Sequence, residues 1–181
     1  MDAIVEAALR KWPNVPHCFG WLGLDARGDW YLRDERTQAA GAFVQCRGSR
    51  IEHQGLREFI ERNYAYDAAG CWYFQNGPQR VYVELEFAPW VWRLTDVGAT
   101  VAVESHTGRA AQVESVWLDD AGRLFLATDL GLGLVHSVDM ERAGRAVERG
   151  QWRVNECDFD SLAGRFGHVL SPSARRPAAP S

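Results

Sequence analysis

Three stretches decide the fold: LDARGDWYL at 24–32, YDAAGCWYF at 66–74 and LDDAGRLFL at 118–126. In each, an apolar or aromatic residue and an aspartate are followed at a fixed distance by glycine, then by a run rich in apolar and aromatic residues. That is the chemistry of a β-hairpin tip. Asp25, Asp67 and Asp119 can accept backbone N–H bonds across the turn, and Gly28, Gly70 and Gly122 can take the left-handed conformation that closes it. Three such tips make the chain rich in antiparallel β structure. They start at 24, 66 and 118, intervals of 42 and 52 residues, too uneven for a solenoid.

Ahead of the first tip, Ile4, Val5, Ala8, Leu9 and Trp12 form a stripe at helical spacing that Pro13 ends, and CFGWLGL then reads as a strand. After the first tip, a strand ending in RIEHQ precedes the helical stretch GLREFIERNY. After the third, GLVHS precedes DMERAGRAVER, with Asp139 placed as its N-cap. In both, a strand delivers a histidine, His53 or His136, just ahead of a charged helix. The expectation is two related hairpin, strand and helix halves, 14–64 and 97–150, around a central hairpin at 66–94.

In that central hairpin, residues 71–75 and 80–87 flank the polar loop Asn76-Gly77-Pro78-Gln79. Alternation sets Val81, Val83, Leu85 and Phe87 on one face, with Tyr82, Glu84 and Glu86 on the other. TVAVES and RAAQVESVWL read as a further hairpin turning at His106–Gly108. A short helix at 161–166, capped by Asp160 or Ser161, is expected near the end. The stretch 171–181, SPSARRPAAPS, has no apolar periodicity and reads as a flexible tail. The fold class expected is α+β, predominantly antiparallel β, with about three short helices and about eight to eleven strands. Residues 1–170 are expected to form a single compact domain.

Composition narrows the function classes. Hydrophobic residues at 46% and charged residues at 24% place the chain among globular proteins. No apolar run reaches the roughly 18 residues of a membrane span. The net charge of −4, more acidic still without the tail that holds Arg175 and Arg176, argues against nucleic acid and anionic membranes as partners. Lys11 is the only lysine and sits in the N-terminal helix, which disfavours Schiff-base chemistry. The four cysteines, Cys18, Cys46, Cys71 and Cys157, form no CxxC pair, and the start MDAIVEAALRKW lacks a signal-peptide pattern. A reduced cytoplasmic protein with free thiols, no metal and no cofactor is expected. Eight tryptophans fill a β-rich core or line a groove; their number is silent on which.

The strings KWPNVPHCFGWLGLDARGDW, FIERNY and CWYFQNGPQRVYVELE resemble an uncharacterised family of proteobacterial cytosolic proteins of about this length, classified only as a domain of unknown function. The likeness extends over residues 10–150, with FQNGPQRVYV its most distinctive piece. It implies a single bacterial module and carries no activity, cofactor or catalytic residue.

Candidate chemistry competes with plainer roles at each position. Glu84 and Glu86, two apart on one strand, could split their pKa values and act as acid and base, or could be the solvated face of an antiparallel strand. His53 and His136 could converge across a pseudo-twofold axis, or each could cap its strand–helix junction. Gly131-Leu-Gly133 lacks the third glycine of a dinucleotide fingerprint, because position 136 is His136. The loop 75–80, flanked by aromatics, is the favoured binding segment, with Trp72, Tyr73, Asn76, Gln79, Arg80 and Tyr82 as candidate contacts. The leading expectation is a non-enzymatic cytosolic binding or protein-interaction module, possible as a homo-oligomer. The alternatives are a small hydrolase or isomerase using Glu84 or Glu86 with a histidine, and a metabolite sensor with a tryptophan-lined pocket.

Overall fold

A computed structural model of the protein describes residues 1–175. The fold is α+β, with two mixed, mostly antiparallel sheets and five short helices among the described residues. Contacts gather the chain into two compact units whose borders fall at Asp25, Asp29, Glu86 and Gly167.

The first unit contains Met1–Asp25, Asp29–Glu86 and the described residues from His168 on. Its elements are α1 (Ala3–Lys11), β1 (Cys18–Leu24), β2 (Trp30–Leu32), α2 (Glu35–Ala40), β3 (Ser49–Arg50), α3 (Gln54–Arg62), β4 (Tyr64–Tyr66), β5 (Trp72–Asn76) and β6 (Gln79–Leu85). The sheet runs β3-β2-β1-β6-β5-β4 and is antiparallel except at its centre, where β1 and β6 pair in parallel. α2 has no apolar stripe to betray it. Asp34 starts it, accepting from Thr37 N at 2.8 Å.

The second unit holds Ala26–Gly28 and Phe87–Gly167. It comprises β7 (Trp90–Val97), β8 (Thr100–Ser105), β9 (Ala110–Ala111), β10 (Val113–Asp119), β11 (Leu124–Thr128), β12 (Gly131–Val135), α4 (Met140–Glu148), β13 (Val154–Cys157) and α5 (Phe159–Phe166). A 3-10 turn, Ser137–Asp139, leads directly into α4. The sheet order is β13-β10-β11-β12-β7-β8-β9, parallel at β10/β13 and at β12/β7. The stretch 109–118, read from sequence as one strand, divides at Gln112. Ala110 and Ala111 pair with β8, and the part from Val113 on pairs with β11 and β13.

All three tips form as their composition dictates. Asp67 Oδ1 accepts from Ala69 N and Cys71 N, both at 3.0 Å, and Asp119 Oδ1 accepts from Ala121 N at 3.0 Å and Arg123 N at 2.8 Å. Asp25 Oδ1 takes Asp29 N at 2.9 Å. Gly28, Gly70 and Gly122 have φ between +75° and +83°, the conformation glycine adopts without a Cβ penalty. A fourth tip repeats the geometry with serine in place of aspartate: Ser105 Oγ accepts from Arg109 N at 3.1 Å, and Gly108 has φ +76°.

Most of the tryptophan excess is core. Trp30, Trp72, Trp90, Trp92 and Trp152 are buried, whereas Trp12 and Trp21 are exposed. Gly133 faces Trp90 across the parallel β12/β7 pair, and a Cβ there would collide with the Trp92 indole and with Trp90 Cβ. Gly131-Leu-Gly133 is therefore a slot for two indoles, stacked at 6.0 Å, whose Nε1 groups donate to Leu130 O and Leu126 O.

Asp139 stands at the N-cap position of α4 without capping it. Its buried carboxylate instead accepts from Arg93 Nε at 2.6 Å, Arg142 at 2.7 Å and Leu94 N at 3.3 Å. Burial alone would raise this carboxyl; the Arg93 and Leu94 hydrogen bonds and the arginine charges bring it below its ordinary value. α5 begins at Phe159, two residues before the expected start, and Gly167 ends it in the left-handed conformation at φ +65°.

Residues 171–175 open the stretch read from sequence as a tail. Pro172–Arg175 forms a 3-10 turn in the first unit, Leu85 N donates to Leu170 O, and Val169 N donates to Gly70 O. The rest of the expected tail, 176–181, lies outside the described residues.

Candidate functional site

The second unit contains a cavity of about 260 Å³ assembled from four separate segments. The turn Ala26–Gly28 supplies Ala26 and Arg27, and Phe87 follows β6. Gly122, Arg123 and Leu124 come from the β10–β11 tip, and Leu134, Val135, Ser137 and Met140 from the end of β12 and the start of the following helix. Its walls are apolar, backed by the core of Phe125, Ala127, Leu132 and Leu162. The polar side chains that line it are two arginines and one serine, with no acid among them. Its volume lies just under the roughly 300–1,000 Å³ usual for ligand pockets, so the occupant it fits is small.

Arg123 is held in place. Its Nε donates to Asp119 Oδ2 at 2.6 Å, while its guanidinium lies over the rings of Phe87 at 4.4 Å and Phe159 at 4.7 Å. The tip aspartate thus closes its turn with one oxygen and orients a pocket residue with the other. The corresponding second oxygens of Asp67 and Asp25 go to Tyr82 Oη at 2.9 Å and to Tyr31 Oη at 3.2 Å. Larger depressions lie nearby, lined by Asp119, Asp120, Glu156, Cys157 and Asp158, and by Asp120, Arg123, Asp158 and Asp160. Among the described residues no three His, Cys, Asp or Glu side chains group to hold a metal ion.

The carboxylates favoured from sequence lie in the first unit, and the expected solvated face is not there. β6 is a central strand, and Glu84 is only 3% exposed. Its Oε2 accepts from Ser171 Oγ at 2.6 Å and its Oε1 from Ser173 N at 3.1 Å, so it secures the C-terminal turn. Glu86 accepts from Arg47 at 2.6 Å, and Arg47 also reaches Asp25 at 3.2 Å. His53 accepts from Leu56 N at 3.1 Å and His136 from Val138 N at 3.2 Å, each through Nδ1. Both histidines therefore cap the helices that follow them.

The segment 75–80 is tighter than its polarity implies. β5 and β6 are joined by only Gly77 and Pro78, with Gly77 at φ +57° in a position where a II′ turn takes glycine. Gln75 Nε2 donates to Gly77 O at 2.9 Å and Gln79 Nε2 to Pro16 O at 2.8 Å; Asn76 is exposed at the tip. Tyr73, Arg80 and Tyr82 do come together. The Arg80 guanidinium lies 4.4 Å over Tyr73, and Tyr82 is stacked on Phe19 at 4.5 Å with His17 at its edge. Burial and the Arg80 charge lower the His17 pKa, and burial raises that of Tyr82. Trp72 points to the opposite face, against Tyr64 and Tyr66. The pocket residues carried one sequence signal that went unread. At the position after the tip glycine, the three tips have Asp29, Cys71 and Arg123, so the third alone places a cation there.

The fold and this pocket define an α+β protein of two sheet-and-helix units with a small apolar cavity. The chain belongs to the family described as Protein of unknown function (DUF2946), whose model matches residues 1–173. Among solved structures it is similar to a DUF1285 family protein from Silicibacter pomeroyi DSS-3, at 14% identity and TM-score 0.48, covering 79% of this chain and 83% of that one. It is also similar to a DUF1285 family protein from Shewanella baltica OS155, at 14% identity and TM-score 0.46, covering 69% of this chain and 91% of that one. No curated protein matches the chain. No helix among the described residues is long and apolar enough to cross a membrane.

Proposed function

We propose that the protein is a non-catalytic binding module of the cytosol whose second-unit cavity takes up a small, mostly apolar molecule. The observation that carries this reading is the cavity itself: apolar walls with a few polar groups at fixed places are how ligand sites bind and orient. Its walls come from leucine, valine, methionine and phenylalanine, so the tryptophan-lined variant of the idea is set aside in favour of this lining. The side chains that would serve an acid–base enzyme are engaged elsewhere. Glu84 secures Ser171 and Ser173, Glu86 pairs with Arg47, and His53 and His136 cap helices. Four free thiols suit a reducing compartment.

Methyl-labelled NMR tests this with 1-hexanol and hexanoate as probes. Shifts confined to Leu124, Leu134, Val135 and Met140 are expected, and they should vanish in Ala26→Phe, which fills the cavity. Unchanged methyl spectra with both probes would refute the reading.

A further inference from the structure

We infer that the ligand is a small uncharged carbonyl compound, such as a ketone, ester or lactone, with its apolar body in the second-unit cavity and its oxygen on the terminal nitrogens of Arg123. This deepens the binding reading proposed above and rests on it.

Three observations converge on the chemistry. First, Arg123 lines the cavity and keeps donors in reserve. Its Nε is spent on Asp119 Oδ2 at 2.6 Å, and among the described residues its terminal nitrogens have no hydrogen-bond partner. The side chain is nevertheless held. Asp119 fixes one edge, and the guanidinium rests 4.4 Å from the Phe87 ring and 4.7 Å from that of Phe159, two rings that meet edge to face at 78°. A ligand oxygen therefore meets N–H groups that are already ordered, and binding costs less side-chain entropy than a mobile arginine would lose.

Secondly, the lining selects an acceptor. The other polar side chains at the cavity are Arg27 and Ser137, and no carboxylate, amide or imidazole stands among them. An ammonium group would find no anion there. A hydroxyl brings a proton of its own, for which those side chains offer only the Ser137 oxygen, and a buried donor left without an acceptor is costly. A carbonyl oxygen accepts through two lone pairs and brings no proton to satisfy.

Thirdly, the surroundings of Arg123 disfavour an anion. Its charge is already matched by Asp119, whose side chain is fully buried. Arg123 also lines a neighbouring depression together with Asp120, Asp158 and Asp160. A carboxylate or phosphate on its terminal nitrogens would enter the field of these aspartates, whereas a neutral carbonyl keeps the hydrogen bonds and escapes the repulsion. Arg27, which has an interaction of its own within the protein, need supply neither charge nor donor. Size agrees, because about 260 Å³ admits a short-chain or single-ring carbonyl compound.

Isothermal titration of the intact chain with 2-hexanone, 1-hexanol, hexanoate and hexylamine decides it. The ketone is expected to bind about tenfold more tightly than hexanoate or hexylamine and about threefold more tightly than hexanol, with an affinity indifferent to added salt. Arg123→Lys, verified as folded by circular dichroism, keeps a cation for Asp119 and should weaken 2-hexanone about tenfold. Unchanged ketone affinity in that variant would refute the role given to the terminal nitrogens. Hexanoate, hexylamine or hexanol binding the wild type as tightly as 2-hexanone would overturn the carbonyl assignment while leaving the cavity a binding site. Silence from all four probes would refute the binding reading and this inference together.

Discussion

Replacing Arg33 with methionine should destabilise the first unit more than any surface substitution. Arg33 is 3% exposed, and its guanidinium donates to three backbone carbonyls: Nε to Cys46 O at 3.1 Å, Nη1 to Gly20 O at 3.2 Å and Nη2 to Gly41 O at 2.6 Å. Two of those carbonyls frame the segment 41–46, which has no regular hydrogen-bonded partner strand. That segment seats Phe43 on Gly23 and leads into Arg47, the bridge between Asp25 and Glu86. Methionine keeps the aliphatic volume but leaves the carbonyls without their donors. A buried carbonyl so stranded costs about 1–3 kcal/mol. Gly20 is buried, whereas Gly41 and Cys46 are half-buried and can recover water, so the sum comes to about 3–5 kcal/mol. That is a large share of the roughly 5–15 kcal/mol by which domains are stable. Urea unfolding followed by circular dichroism and tryptophan fluorescence should give a lower midpoint with an unchanged slope. Arg33→Lys should fall between, since one ammonium cannot reach all three oxygens. A loss below about 1 kcal/mol for Arg33→Met would refute the claim that this side chain organises the loop.

Gly133→Ala should cost about 1–3 kcal/mol by overpacking against Trp90 and Trp92, and should shift tryptophan emission, whereas Gly144→Ala, with open space around it, should not destabilise. His106 is buried and its pKa falls from 6.5 to about 3, so the unfolded chain takes up a proton that the folded chain refuses. Stability should therefore decline as pH drops below about 6.5, by up to about 1.4 kcal/mol per pH unit from this group; His106→Asn, which keeps an acceptor for Val91 N, should flatten that slope in pH-dependent urea titrations. Glu84→Leu should cost about 2–4 kcal/mol and speed proteolysis within 171–175, and Glu84→Gln, which retains an acceptor oxygen, should do so much less. Equal protease sensitivity of wild type and Glu84→Leu would remove the anchoring role given to that carboxylate.

What the amino-acid sequence determined by itself was local. The tips at Asp25, Asp67 and Asp119 are legible because donor, acceptor and left-handed glycine lie within five residues of one another, so no distant contact is needed to set them. The stripe of α1 and the histidines ahead of α3 and α4 are legible for the same reason, since a cap bonds two or three residues ahead. Tertiary structure decided everything that depends on which strand becomes a neighbour. Glu84 looked solvated because alternation cannot tell a central strand from an edge, and the Ser171 that buries it arrives from 87 residues away. Gly131-Leu-Gly133 and the tryptophans acquire meaning only when β12 and β7 pair in parallel. The cavity draws on four segments spread from Ala26 to Met140, and no periodicity within any one of them encodes a wall that the others complete.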